Sequence, residues 1–394
     1  MKQLLHIVAG LDPALGGVSQ AVRTMIAGLA AQQVASEVVS LDAPGQAWSQ
    51  ADPFALHALG PGRGPWAYAP ALGPWLDANL PRFGAVLLHG LWLYPGFGLR
   101  RALRRAREAG RPAPPLLVMP HGMLDPYFQR AGGRRLKAWR NQLYWQLAER
   151  FVVNEAHGLL FTCETERWLA REPFAPYHPR REAVVGLGVE PPPAGTAAMR
   201  AAFEAACPGL GGRPYLLFLG RIHEKKGVEL LLHAYAQLAE RRADLPALVL
   251  AGPGLESAYG QQMRQLAAGL PAPAAVYWPG MLGGHAKWGA FYGCEAFVLP
   301  SHQENFGIAV VEALACGKPV LVADQVNIWR EIADGGAGLV ASDTAAGTTE
   351  LLARWVTLTA PERQAMGQQA RQLYETTFAV EAATRRLLAA LKLP

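Results

Sequence analysis

Two carboxylates stand eight residues apart in the stretch "SHQENFGIAVVEALACGKPV", residues 301–320. Glu304 precedes a helical pattern. Glu312 lies inside it, among Ile308, Ala309, Val310, Val311, Ala313, Leu314 and Ala315. A lone acid in such company is costly to bury without a partner. A carboxylate can accept hydrogen bonds from two neighbouring hydroxyls, as on a sugar or a ribose. Between the two acids Asn305, Phe306 and Gly307 form a sharp turn into the helix, and the free amides of Phe306, Gly307 and Ile308 suit an anion. Helical side chains lean toward the helix N-terminus, which aims Glu312 back toward Glu304. The plain alternative for Glu312 is a dipole-favoured acid or the partner of a buried cation.

A second stretch, "LFLGRIHEKKG" (217–227), places Arg221 and Lys226 five residues apart, after an apolar run and before a helical one. Arg can chelate two oxygens, Lys adds a compact charge, and the helix start adds its dipole, a combination suited to a diphosphate. The alternative is two solvated surface cations. Near the start of the chain Gly16 and Gly17 permit close backbone approach, but their spacing is not G-x-G-x-x-G. His89 and His121 each precede a glycine at the end of an apolar run, where a histidine can bond a hydroxyl or neighbouring backbone. His6 lies within such a run and reads as core. No Asp-x-Asp pair, P-loop, zinc-ligand spacing or G-x-S-x-G occurs.

These residues need elements to position them. Runs at 4–9, 36–41, 85–89, 115–119, 157–162 and 182–187, then 214–220, 246–252, 274–280, 296–300 and 319–323, are continuous in Val, Leu and Ile rather than alternating. That is the pattern of strands buried on both faces in parallel sheets. Helical patterns separate them, which argues an α/β class. The prolines of "GLGVEPPPAG" (186–195) mark a connector between two domains. We assign residues 1–188 to the first domain, 189–376 to the second and 377–394 to a C-terminal helix, with a break near Thr377. Ligands of such sheets bind beyond the carboxyl ends of the strands, so the expected site is the cleft between the domains.

Composition narrows the class further. The chain has 394 residues, 51% hydrophobic and 17% charged, which is globular. No run is long enough to span a membrane, and "MKQLLHIVAGLDP" reads as a first strand rather than a leader. Four scattered cysteines read as reduced thiols, as in a cytoplasmic protein. The net charge of +6 arises entirely before residue 191, in two runs: Arg100, Arg101, Arg104, Arg105, Arg107, Arg111, and Arg130, Arg134, Arg135, Lys137, Arg140. Beside the second run stand Trp139, Tyr144 and Trp145. The runs are either a solvated helix face or a patch for an anionic membrane surface. No nucleic-acid-binding motif accompanies them.

"GRIHEKKG" and "ENFGIAVVEALACGKPVLVAD", with "GGVSQAVRTMIAGLA", "LLHGLW" and "MPHGMLDP" in the same order, resemble the family-4 retaining glycosyltransferases, also called group 1 glycosyl transferases. The resemblance implies a GT-B architecture of two Rossmann-like, doubly wound parallel-sheet domains facing across a cleft. It implies that Arg221 and Lys226 hold a donor diphosphate, supported by the amides of Phe306, Gly307 and Ile308. Glu312 would take the ribose hydroxyls, with Asn305 in the same donor-binding set. Glu304 would contact the donor sugar and His121 its substituents near the reacting carbon. Gly16 and Gly17 would face the phosphates, and His89 is placed with the acceptor. The linker departs from the family's usual Asn-Gly-Val-Asp, reading "GLGVE" here.

The implied reaction moves a sugar from a nucleotide-sugar to a hydroxyl of a glycan or lipid-linked acceptor with retention, needing no metal or other cofactor. By analogy the product belongs to bacterial surface polysaccharide. Three other readings stay open: a nucleotide-sugar epimerase, a glycosyl phosphorylase, or a non-catalytic protein docking on anionic membranes.

Overall fold

The computed structural model describes residues 3–13, 16–46, 52–130, 135–271 and 274–392, without the side chains of 135–137. The chain divides into two compact units, residues 1–188 with 380–394, and residues 189–379.

The first unit is built on a parallel sheet of seven strands: β1 (Leu4–Val8), β2 (Ser36–Ser40), β3 (Ala55–Ala58), β4 (Ala85–His89), β5 (Leu116–Met119), β6 (Gly158–Phe161) and β7 (Glu182–Val184). Their order is β3-β2-β1-β4-β5-β6-β7. Strands β1, β4, β5 and β6 are buried throughout, as the unbroken apolar runs require. The order reverses between β1 and β4, which makes the carboxyl ends of those two strands the switch point of the sheet.

The second unit repeats the plan with six parallel strands: β8 (Tyr215–Leu219), β9 (Ala247–Ala251), β10 (Val276–Gly280), β11 (Ala296–Leu299), β12 (Val320–Ala323) and β13 (Gly338–Ala341). Their order is β10-β9-β8-β11-β12-β13, so the switch point lies between β8 and β11. Eleven of the thirteen strands coincide with the runs read from sequence. The two extra ones, β3 and β13, lie at sheet edges; β3 (ALHA) has no fully buried residue and β13 (GLVA) has one.

The helix Ala360–Leu373 continues through a π-helical turn, Tyr374–Phe378, and ends where Ala379 turns extended. The helix Val380–Leu391 then returns to the first unit. It packs against the helix Gly17–Ala31 and buries Ala383, Leu387 and Leu391. Its Arg386 donates to the Val185 carbonyl at 3.1 Å, and Arg181 donates to the Ala390 carbonyl at 3.2 Å.

The basic runs divide. In the first, Arg100 pairs with Glu155, Arg104 with Glu108 and Arg105 with Asp77, an ion-paired helix face. In the second, Arg130 pairs with Glu172 and Arg140 lies over the Trp66 ring. Arg134 and the side chains of Arg135 and Lys137 lie outside the described residues. Of the three aromatics beside that run, Trp145 belongs to the core, stacked 4.9 Å from Phe174, and Tyr144 stacks on Trp66. Only Trp139 is exposed, joined by Leu143 and Leu147.

Candidate functional site

In the second unit the loops after β8 and β11 meet at the switch point. Residues 224–226 form a single 3-10 turn, and Gly227, in the left-handed region at φ 66°, caps the helix Val228–Ala239. A side chain at 227 would place its Cβ 2.0 Å from the Pro300 carbonyl oxygen, so glycine is what lets the two loops touch. That approach brings Lys226 onto the carboxylate of Glu304, with which it forms a short ion pair. Arg221 is exposed and has no hydrogen bond or ion pair to protein among the described residues. A guanidinium left free on the same loop as a paired lysine is available to an anionic ligand.

The loop that carries Glu304 is held on three sides. Its amide donates to the Gln325 carbonyl at 2.9 Å, and its carbonyl accepts from the Asn327 amide at 2.9 Å. The Asn327 side chain reaches the Asn305 side-chain oxygen at 3.4 Å. Two residues before Glu304, His302 bridges Glu229 and Asp343, each at 3.0 Å. Burial lowers the pKa of this imidazole, but the two carboxylates outweigh it and the net shift is upward.

Gly307, also left-handed at φ 77°, starts the helix Ile308–Ala315. A Cβ there would sit 3.3 Å from Cγ of Glu304 and 3.1 Å from Cγ2 of Val310. Phe306 is buried and packs edge-on against Phe378 at 5.7 Å, which anchors the turn. Glu312 is largely buried and bonds Nζ of Lys287 at 2.5 Å. Burial raises its pKa and Lys287 opposes that rise. The two acids therefore have two separate lysines, and the partner of Glu312 is one the sequence did not single out. Lys287 sits in the first turn of the helix Gly284–Gly293, 4.6 Å over the Trp288 ring. Only the fold brings it to Glu312.

The first unit carries the remaining candidates at or after the carboxyl ends of β1, β4 and β5. Gly16, at φ 88°, caps the helix Gly17–Ala31, and the Ser19 hydroxyl donates to its carbonyl at 2.8 Å. His121 follows β5 in a left-handed conformation, φ 52°. Its Nε2 lies 3.0 Å from Nδ1 of His89, and Nε2 of His89 lies 3.0 Å from Nδ1 of His6. His89 is thus buried with both ring nitrogens occupied, which corrects the expectation that it contacts an acceptor: no nitrogen is left for one. His6 is core, as read, but its ring is hydrogen-bonded rather than a filler. The turn carrying His121 is gripped by Glu166, whose carboxylate accepts from the Gly122 amide at 2.6 Å and from both the amide and hydroxyl of Thr162. Nothing in the spacing of Glu166 from the strand signals that task.

Among the described residues no three His, Cys, Asp or Glu side chains converge as metal ligands, and no helix is long and apolar enough to cross a membrane.

Two family profiles match the chain in tandem. One, described as a glycosyl transferase 4-like domain, matches residues 16–188; the other, glycosyl transferases group 1, matches residues 207–373. The chain is a member of the group 1 glycosyl transferases, of GT-B type. A D-inositol 3-phosphate glycosyltransferase of Geodermatophilus obscurus is 34% identical over 245 residues, covering 56% of this chain and 51% of that protein. A protein of the same name from Frankia alni is 39% identical over 134 residues, 32% of either chain. The match thus spans a third to a half of these curated relatives. Among solved structures, Anabaena Alr3699/HepE in complex with UDP aligns over 99% of both chains with a TM-score of 0.73 at 14% identity. WaaG, a glycosyltransferase involved in lipopolysaccharide biosynthesis, aligns over 99% of this chain and 100% of its own with a TM-score of 0.66 at 16% identity. At these identities the likeness is one of fold: both units of this chain are doubly wound parallel sheets.

Proposed function

We propose that the chain transfers a sugar from a nucleotide-sugar to a hydroxyl acceptor, with retention of anomeric configuration and without metal. The observation that carries this reading is the convergence of Lys226, Glu304 and the Gly307 turn at the β8/β11 switch point, with Arg221 uncommitted on the same loop as Lys226. The names of relatives and neighbours, which include an inositol-phosphate glycosyltransferase and a UDP complex, support a nucleotide-sugar donor.

In this reading the donor diphosphate competes with Glu304 for Lys226. Arg221 and Lys226, with the amides at 306–308, take the charge that grows on the leaving phosphate. The bond from the anomeric carbon to the phosphate oxygen breaks, and its electron pair leaves with the diphosphate. The acceptor oxygen bonds to the same face of that carbon, and its proton passes to the departing phosphate. Glu304, released from Lys226, is an acceptor for sugar hydroxyls; Glu312 takes the ribose hydroxyls, and His121 the sugar near the reacting carbon.

The test is turnover of a panel of nucleotide-sugars, with products identified with and without acceptor. Lys226→Ala lowers kcat/KM on the order of 100-fold, the loss of one preorganised cation. Unchanged turnover in that variant overturns the assignment. Epimerised donor without acceptor, or sugar phosphate formed only with added phosphate, would mark the epimerase or phosphorylase instead.

The exposed row Trp139, Leu143 and Leu147, next to Arg140, favours a peripheral position on an anionic membrane, where a lipid-linked acceptor is presented. A role in surface-polysaccharide synthesis is consistent with that position.

A further inference from the structure

His6, His89 and His121 form a diagonal across three adjacent strands. In register, His6 of β1 lies opposite Leu87 of β4, two residues before His89; His89 lies opposite Met119 of β5, two residues before His121. His89 is therefore on the same face as His6 and two residues nearer the carboxyl edge of the sheet, and His121, in the turn after β5, brings its ring against His89. The rings meet edge to edge and close to parallel, with centroids 5.2 Å and 5.3 Å apart and planes tilted by 11° and 27°. Both nitrogen-to-nitrogen distances are 3.0 Å, within hydrogen-bond range.

A neutral imidazole carries one N–H, so two hydrogen bonds along three rings allow only two proton arrangements. In one, each Nδ1–H donates to the next ring outward, and His121 ends the row with an Nδ1–H. In the other, every proton sits on Nε2 and His121 ends with a bare Nδ1. The inner end decides between them. Nε2 of His6 is fully buried with no hydrogen-bond partner. The second arrangement strands an N–H there, whereas the first leaves only a lone pair, the cheaper of the two to bury unpaired. Burial also holds the rings neutral: it lowers His6 to about 3 and His121 to about 4, and it lowers His89 as well.

We infer that His6 and His89 are positioning residues that fix the tautomer of His121, so that it presents Nδ1–H as a donor at the carboxyl edge of the first sheet. This rests on the proposed transferase reading for its use, which is to donate to an oxygen of the donor sugar near the reacting carbon. His121 is then a neutral hydrogen-bond donor rather than a base. No protein group takes its Nδ1 among the described residues, and Glu166 holds the turn that aims the ring.

Two readouts test the inference. In the full-length protein with 15N-labelled histidine, side-chain nitrogen–proton correlations at pH 7 place the ring proton of all three histidines on Nδ1; a proton on Nε2 of His121 overturns the proposal. Among variants, His6→Leu removes the first donor, whereas His6→Asn keeps an N–H at the position of Nδ1. His6→Leu lowers kcat roughly tenfold, the size of one lost hydrogen bond, with KM for the donor within about threefold, and His6→Asn restores it. Equal kcat in the two variants overturns the proposal. If His6→Leu does not fold, the nitrogen spectrum and the His6→Asn rate still decide, since loss of activity in His6→Asn contradicts the donor role. Failure of the transferase reading looks different: no nucleotide-sugar is turned over, while the nitrogen spectrum still reports the proton positions.

Discussion

At the scale of single residues, the pairing of each candidate acid with its own lysine has a measurable consequence. Glu312 is held between burial, which favours its neutral form, and Lys287, which favours the carboxylate. Removing the lysine leaves burial unopposed, so the folded-state pKa rises further above the ordinary carboxylate range. In Lys287→Ala, donor affinity becomes pH-dependent, weaker at pH 6 than at pH 8, because a protonated Glu312 can no longer accept from both ribose hydroxyls. The wild type changes less over the same window. Titration calorimetry at the two pH values checks this, and parallel behaviour of wild type and variant contradicts the role given to Glu312. These lysine partnerships were not legible in sequence. Glu304 and Glu312 stood out because an acid beside apolar neighbours is conspicuous, but Lys287 stands 25 positions before Glu312 and reaches it only through the fold. His89 shows the same limit from the other side: a strand-end histidine looks like a ligand-facing group until its two nitrogens are found bonded to other histidines.

At the scale of elements, the parallel strands were readable because continuous Val, Leu and Ile runs have one good destination, burial on both faces. The edge strands β3 and β13 escaped because edges do not demand that composition. The aromatic residues of the segment 135–149 illustrate the opposite error. Trp139, Tyr144 and Trp145 look equivalent in sequence, yet the helix Arg135–Tyr144 and the π-helical turn after it send Trp145 into the core and leave Trp139, Leu143 and Leu147 outside. Spacing of four residues keeps that exposed trio near one side of a helix. Full burial of each such side chain is worth about 1.5–3 kcal/mol. Trp139→Ala with Leu143→Ala and Leu147→Ala therefore lowers co-sedimentation with phosphatidylglycerol vesicles at least about tenfold while nucleotide binding is kept. Equal vesicle binding by the triple variant, or none by the wild type, contradicts the membrane reading.

At the scale of the whole molecule, buried titratable groups in the first unit bound its pH range. On the acid side His6, at about 3, and His121, at about 4, stay neutral when folded but protonate near 6.5 when unfolded. Between those values the unfolded chain binds more protons, so stability falls as pH drops from about 6.5 toward 4, by up to about 1.4 kcal/mol per pH unit for each ring. On the alkaline side Glu149 is fully buried beneath the helix Tyr94–Glu108, and burial pushes it up to about 8, against a smaller downward pull from the Trp92 backbone. Its folded pKa lies above its unfolded value of 4.5, so its contribution is present at acid pH and lost as pH rises from there toward 8. Glu149→Gln removes that loss. Calorimetric Tm of the variant exceeds that of the wild type at pH 8 by more than at pH 5; the same gap at both pH values contradicts the assignment.

The proposed donor site of the second unit joins Lys226, paired with Glu304 ahead of the Gly307 turn, to the unpaired Arg221 of the same β8 loop. Titration calorimetry of nucleoside diphosphates into the intact protein, in the presence of a chelator, tests it most directly. The expected result is that at least one nucleoside diphosphate binds without metal, and that Arg221→Ala and Lys226→Ala each weaken it about tenfold or more. Affinity that is unchanged in both variants, or that vanishes with the chelator, contradicts the account.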